Sequence, residues 1–212
     1  MFTDKRREMV YNLMRHGYIH SERVKEAMLM VPRELFVPYN LRSCAYVDSP
    51  LEIGEGQTIS APHMIAIMCE VLDLNEGEQV LEIGTGSGYH AAIVSKIVGV
   101  KGKVYSIERI PSLAEKAKQN LKKADIRNVE VHVGDGSLGL PEHAPYDSIY
   151  VTCAAPVIPP PLIEQLKDKG KLLVPVGSSI CSLKLLEKKN NEITVTDHGG
   201  CVFVPLIGVY GH

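Results

Sequence analysis

No two cysteines of this chain stand in a CxxC spacing: Cys44, Cys69, Cys153, Cys181 and Cys201 are scattered and odd in number. That excludes the pattern of a zinc ribbon or a redox dithiol and suits a reducing cytoplasm. No apolar stretch approaches the length of a membrane span, and the charged first seven residues lack the apolar run of a signal peptide, so a cytosolic chain without a membrane partner is expected. Charge of one sign is also scarce. A net charge of -2 offers no electrostatic reason for a polyanionic partner, and nucleic acid is not expected. There is no internal repeat, no low-complexity tract, and no His, Cys or carboxylate cluster with metal-ligand spacing, so no metal is expected either. What is present is globular usage, 45% hydrophobic and 23% charged over 212 residues. That is enough for one α/β core with an appendage and short for two independent domains.

The periodicity predicts a helix over Asp4–Met14, with Met9, Val10, Leu13 and Met14 on one face and Gly17 ending it. It predicts a second helix from an N-cap at Ser21 to Val31, halted by Pro32. From Val37 to Ala61 no period is sustained, and so long an irregular run inside a small domain points to function. A helix then starts at Pro62. Beyond Gly77 short apolar runs alternate with helical ones: strands are expected at Gln79–Ile83, Lys103–Ile107, Val129–Val133, Ser148–Val151 and Lys171–Val176, with helices at Tyr89–Val98, Ser112–Ala124 and Pro161–Lys167. This alternation predicts an α/β, doubly wound, mostly parallel sheet. The β-branched tail, Cys181 to Tyr210, should add antiparallel strands at one edge. The division expected is residues 1–76 as N-terminal helices and loop, packed on a core of residues 77–212, within one structural domain.

The strongest local signal is Val80-Leu81-Glu82-Ile83-Gly84-Thr85-Gly86-Ser87-Gly88-Tyr89, an apolar strand, a glycine-rich turn and a helix. Gly84, Gly86 and Gly88 allow a sharp bend and close approach of a ligand to backbone at a helix N-terminus. Tyr89 stands where a dinucleotide site needs a small residue, which counts against a nicotinamide or flavin oxidoreductase. Glu108 ends the next strand at the separation expected of a ribose-binding acid; the plain alternative is a surface glutamate. Glu82, inside an apolar strand, should face the same crevice, because a buried unpaired carboxylate is costly. Its role is open between a cofactor's amino-acid end and local backbone capping. Asp135, in Gly134-Asp135-Gly136, either receives an adenine amino group or only forms an Asp-Gly turn. Together these acids follow three successive strands, as a doubly wound sheet assembles a site.

G-x-G-x-G after an acidic residue resembles the first motif of the Rossmann-like methyltransferases. More narrowly, the chain resembles the protein-L-isoaspartate (D-aspartate) O-methyltransferase family. The likeness runs through Val31-Pro32-Arg33-Glu34-Leu35-Phe36-Val37-Pro38, Gly56-Gln57-Thr58-Ile59-Ser60, Leu81 to Tyr89, Tyr146 to Pro156 and Phe203-Val204-Pro205-Leu206. Lys169-Gly170-Lys171 and Cys153 depart slightly from the family pattern.

The resemblance implies S-adenosyl-L-methionine as methyl donor, for which Glu82, Gly84, Gly86, Gly88, Glu108, Asp135 and Gly136 are the candidate binding residues. It implies damaged proteins with isoaspartyl residues as partners, with D-aspartyl acceptance left open. It also implies that Thr58, Ile59 and Ser60 close over the acceptor, Ser60 being the catalytic candidate. On spacing alone Ser60 could equally be a helix N-cap before Pro62. Since an α-carboxyl with a pKa of roughly 3.3 to 3.7 is ionised at neutral pH, no general base is needed, and His63 and His90 are not cast as bases. The alternative is another Rossmann-like small-molecule or nucleic-acid methyltransferase. Thr152-Cys153-Ala154-Ala155-Pro156, however, is not the Asn/Asp-Pro-Pro-aromatic motif of amino methylation. Cys153 also lacks the preceding proline of cytosine-C5 enzymes. Nothing in the sequence sets the oligomeric state, and a monomer is the simplest expectation.

Overall fold

The computed structural model describes residues 2–190 and 192–212. Helix α1 (Phe2–Arg15) buries Met9, Val10 and Leu13, and α2 (Glu22–Met30) buries Val24, Ala27 and Met28. The Ser21 hydroxyl accepts from Val24 N at 3.3 Å, the N-cap its position predicts. Pro32 follows, and the chain turns into 3-10 segments at Arg33–Leu35 and Tyr39–Cys44.

The run expected to be irregular contains a hairpin, β1 (Leu51–Gly54) antiparallel to β2 (Gln57–Ile59). Its turn residues Glu55 and Gly56 both have positive φ, 54° and 67°, the backbone that matches the twist of a tight hairpin. Strands of four and three residues are too short to show alternation, which is why the pattern was silent. Helix α3 (Pro62–Leu72) opens with Pro62 in its first turn, where no amide donor is needed.

The core alternates β3 (Gln79–Ile83), α4 (Tyr89–Val98), β4 (Lys103–Glu108), α5 (Pro111–Lys123), β5 (Val129–Val133), β6 (Tyr146–Val151), α6 (Pro160–Glu164), β7 (Leu166–Gly177), β8 (Cys181–Lys189) and β9 (Glu192–Cys201). The seven strands are ordered β5-β4-β3-β6-β7-β8-β9. Pairing is parallel from β5 to β7 and antiparallel for β8 and β9. Alternate residues face opposite sides: Val80 and Val104 pack under α1 to α5, while Leu81, Ile83, Ile107 and Ile149 form the other core. After β3 the chain moves outward to β4 and β5, then returns to the other side of β3 as β6. The carboxyl ends of β3 and β6 are therefore the topological switch point, where open α/β sheets place their ligands.

Two expectations need correction. Helix α6 is shorter than Pro161–Lys167, because Leu166 already pairs with Tyr146 and begins β7; Lys169, at φ 66°, then bends that strand before Lys171 resumes the ladder. The tail is not strand to Tyr210. It leaves β9 at Cys201 and crosses the end of β6, where Leu206 N donates to Ala154 O at 2.7 Å and Pro205 bridges Ala154.

Candidate active site

At the switch point lies an open cleft. One wall is the glycine turn: Gly84, Gly86 and Gly88 have φ of 93°, 54° and 86°, a region costly for other residues. A Cβ on Gly84 would collide with Thr152 Oγ1, and one on Gly136 with Ile83, so both glycines let backbone form the surface. Glu108 lines this wall while only 6% exposed. Its Oε2 accepts from Gly86 N at 2.9 Å and its Oε1 from Ile110 N at 3.0 Å. Each oxygen keeps a lone pair for a ligand hydroxyl.

Three of the predicted donor-side residues stand outside the cleft surface. Glu82 does not face the crevice; it is fully buried on the helix-covered side, yet it is not unpaired, because Tyr150 OH donates to Oε1 at 2.8 Å and Ser106 Oγ donates to Oε2. Burial raises its carboxyl to about 8, opposed by those two bonds and reinforced by the charge of Glu108. Gly88 serves packing: a Cβ there would lie 3.3 Å from Leu121 Cγ and 3.4 Å from Ala117 Cβ on α5. Asp135 holds the tail, accepting from Ser137 N at 2.9 Å, Ser137 Oγ at 2.7 Å and Val209 N at 2.8 Å. Its neighbour Gly136 is the residue that reaches the cleft.

The opposite wall is Gln57, Thr58, Ile59 and Ser60. Ser60 is not a helix cap. The N-cap position is Ala61, without a side-chain bond, and the orphan amide of His63 is satisfied from afar by Asp48 Oδ1 at 2.9 Å, which also meets the His63 ring Nδ1 at 2.9 Å. The Ser60 hydroxyl therefore has no capping duty, while its carbonyl accepts from Arg33 Nη2 at 2.9 Å. His63 is not part of the cleft wall. His90 is, but burial lowers its pKa to about 3, so it is neutral at physiological pH. Burial likewise raises the Cys153 thiol to about 12, which removes it as a nucleophile.

Sequence reasoning missed Arg109, Thr152 and Ile207 on the cleft wall, and the clasps Arg33 and Asp48. The first three lie at strand ends or in the returning tail, so only the topology reveals them. It also missed that Glu130, His132 and His143 converge, with ligand atoms within 4.8 Å of one another. That cluster is away from the cleft, and Lys103 Nζ already sits 3.0 Å from Glu130 Oε2.

A sheet of this order with a glycine turn after β3 and an acid ending β4 is the Rossmann-like fold of the S-adenosylmethionine-dependent methyltransferases. A Plasmodium falciparum chain described as a protein-L-isoaspartate O-methyltransferase, solved in complex with S-adenosyl-L-homocysteine, matches with a TM-score of 0.86 and 28% identity over 95% of this chain and 98% of its own. A second solved protein-L-isoaspartate O-methyltransferase matches with a TM-score of 0.88 and 34% identity, over 97% of this chain and 67% of that one. The protein-L-isoaspartate O-methyltransferase of Methanococcus aeolicus is 56% identical over 100% of this chain and 98% of its own length. The family model for protein-L-isoaspartate(D-aspartate) O-methyltransferase covers residues 4–210, and the chain belongs to that family.

Proposed function

We propose that this chain transfers the methyl group of S-adenosyl-L-methionine to the free α-carboxylate of L-isoaspartyl residues in damaged proteins and peptides, leaving a methyl ester and S-adenosylhomocysteine. The observation that carries this reading is that one cleft is lined on one side by Gly84, Gly86 and Glu108 and on the other by Gln57 to Ser60. The glycine walls, where a Cβ would intrude, and the cleft-facing acid fit an adenosine-type ligand without a phosphate clamp. When bound, the donor supplies an electrophilic methyl group on a sulfonium.

The residues then have separable tasks. Glu108 receives the ribose hydroxyls, and backbone at Gly84, Gly86 and Gly136 lets the ligand lie close. Asp135 acts through Gly136 by fixing the turn that carries it, while Glu82 and Gly88 support the site without touching it. Thr58, Ile59 and Ser60 receive the isoaspartyl residue, with the Ser60 hydroxyl donating to one carboxylate oxygen and leaving the other aimed at the methyl group. Because the acceptor is already ionised, no base is needed, in keeping with a neutral buried His90. Alignment of oxygen, carbon and sulfur can contribute about 7 to 11 kcal/mol, and exclusion of water by the hairpin sharpens the nucleophile.

In this scheme residues 1–76 furnish the acceptor side and residues 77–212 the donor side of one structural domain, whose main hydrophobic core runs from Met9 to Cys201. A monomer suffices, since one chain builds both walls. The reaction uses no metal, and neither nucleic acid nor membrane is a partner; no helix of the described residues is long and apolar enough to cross one. Five free cysteines, four of them buried, suit a cytoplasmic setting. Radiolabelled methyl transfer to matched aspartyl and isoaspartyl peptides tests the proposal: label should enter only the isoaspartyl peptide and resist chelation, and equal or absent labelling would refute it.

A further inference from the structure

Arg33 is wholly buried, yet none of its described hydrogen bonds goes to a carboxylate. Its Nε donates to Ala45 O at 2.8 Å and its Nη2 to Ser60 O at 2.9 Å, while Nη1 has no hydrogen-bond partner among the described residues. The guanidinium carbon lies 4.9 Å from the centre of the Tyr89 ring, which also packs on Phe36 at 5.5 Å. A cation in such a place is expensive, and a methionine or leucine of similar volume would cost less. Burial lowers its pKa to about 10, so it still carries its charge at neutral pH.

The expense makes sense from what the group joins. Ala45 ends the 3-10 segment ahead of the hairpin, Ser60 belongs to the acceptor wall, and Tyr89 is the first residue of α4, directly after the glycine turn of the donor wall. A planar fork can hold two carbonyls in fixed directions while its face lies on an aromatic ring; an ammonium cannot do both. Tyr89, the residue out of place for a dinucleotide site, is thereby the floor on which the fork rests.

We infer that Arg33 is a positioning residue that fixes the Ser60 backbone against the helix of the donor wall, setting the direction of the Ser60 hydroxyl toward the acceptor carboxylate. This rests on the acceptor role proposed for Gln57 to Ser60.

The test compares Arg33→Lys, Arg33→Met and Ser60→Ala with the parent protein. Three quantities are read: KM and kcat for an isoaspartyl peptide, Kd for S-adenosylhomocysteine, and amide hydrogen exchange over Leu51–Ser60. Arg33→Lys should raise the peptide KM about tenfold, the scale of one lost charge-assisted hydrogen bond, with Kd held within about twofold. Exchange in the hairpin should quicken, and Arg33→Met should do the same more strongly. Should the methionine variant fail to fold, the lysine variant carries the test.

A fall in melting temperature with unchanged peptide KM, or unchanged hairpin exchange, would overturn the inference. Impaired Ser60→Ala beside a normal Arg33→Lys would refute Arg33 alone; normal kinetics in both would remove the acceptor reading as well.

Discussion

The two walls of the cleft are built in different ways. The donor wall consists of strand ends in the middle of a seven-stranded sheet, with its glycines wedged against Thr152, Leu121 and Ile83 and its acid bonded to two backbone amides. The acceptor wall is a hairpin of seven strand residues outside that sheet, fastened at its far end by single side chains, Arg33 to Ser60 and Asp48 to His63. The donor wall is preorganised by the sheet, while the acceptor wall stands outside the sheet on Ile53 and Ile59 buried in the core, on the Ser112 hydroxyl donating to Glu55, and on those two clasps.

The largest effect that would separate the walls is on Glu108. Glu108→Ala should weaken S-adenosylhomocysteine binding by about 1.5 to 3 kcal/mol, as for hydrogen bonds to a charged group, while the peptide KM moves little. Calorimetry on the folded variant decides this. Unchanged affinity would take Glu108 out of the donor wall.

A second, smaller effect probes the foundation of that wall. The folded protein keeps a proton on Glu82 up to about pH 8, whereas the unfolded chain releases it near pH 4.3 or so. The native state therefore binds more protons between these values, and stability falls as pH rises through that window, by at most about 1.4 kcal/mol per pH unit, then levels off. Glu82→Gln should flatten this slope in denaturant titrations from pH 5 to 8. A slope identical to that of the parent would place the proton elsewhere.

How much of this was legible beforehand follows the same division. The donor wall could be read because its signals are local: Val80 to Tyr89 encodes strand, turn and helix within ten residues, and Glu108 lies at the end of the next strand. That Glu82 lies away from the crevice could not be read, since its partners Ser106 and Tyr150 come from two other strands, and no spacing reveals that a buried acid is paired across a sheet. The acceptor wall was marked only by a lack of period and by resemblance. Its hairpin is too short to show alternation, and its clasps reach across 27 and 15 residues, so the capping role that spacing left open for Ser60 falls to Asp48.

That substitution of caps gives the smallest expected effect. Asp48→Ala should cost about 0.5 to 2 kcal/mol of stability, the range for a lost helix cap, with S-adenosylhomocysteine affinity unaltered. Chemical denaturation reads it, and an unshifted midpoint would mean that water caps α3 equally well.

Ser60→Ala tests the division of labour most directly, with initial rates on an isoaspartyl peptide and S-adenosylhomocysteine affinity measured on the same preparation. We expect kcat/KM to fall by about tenfold or more, as when the donor that orients the acceptor carboxylate is removed, with affinity and melting temperature nearly unchanged because Asp48 carries the cap. A destabilised variant with parental rate would contradict it.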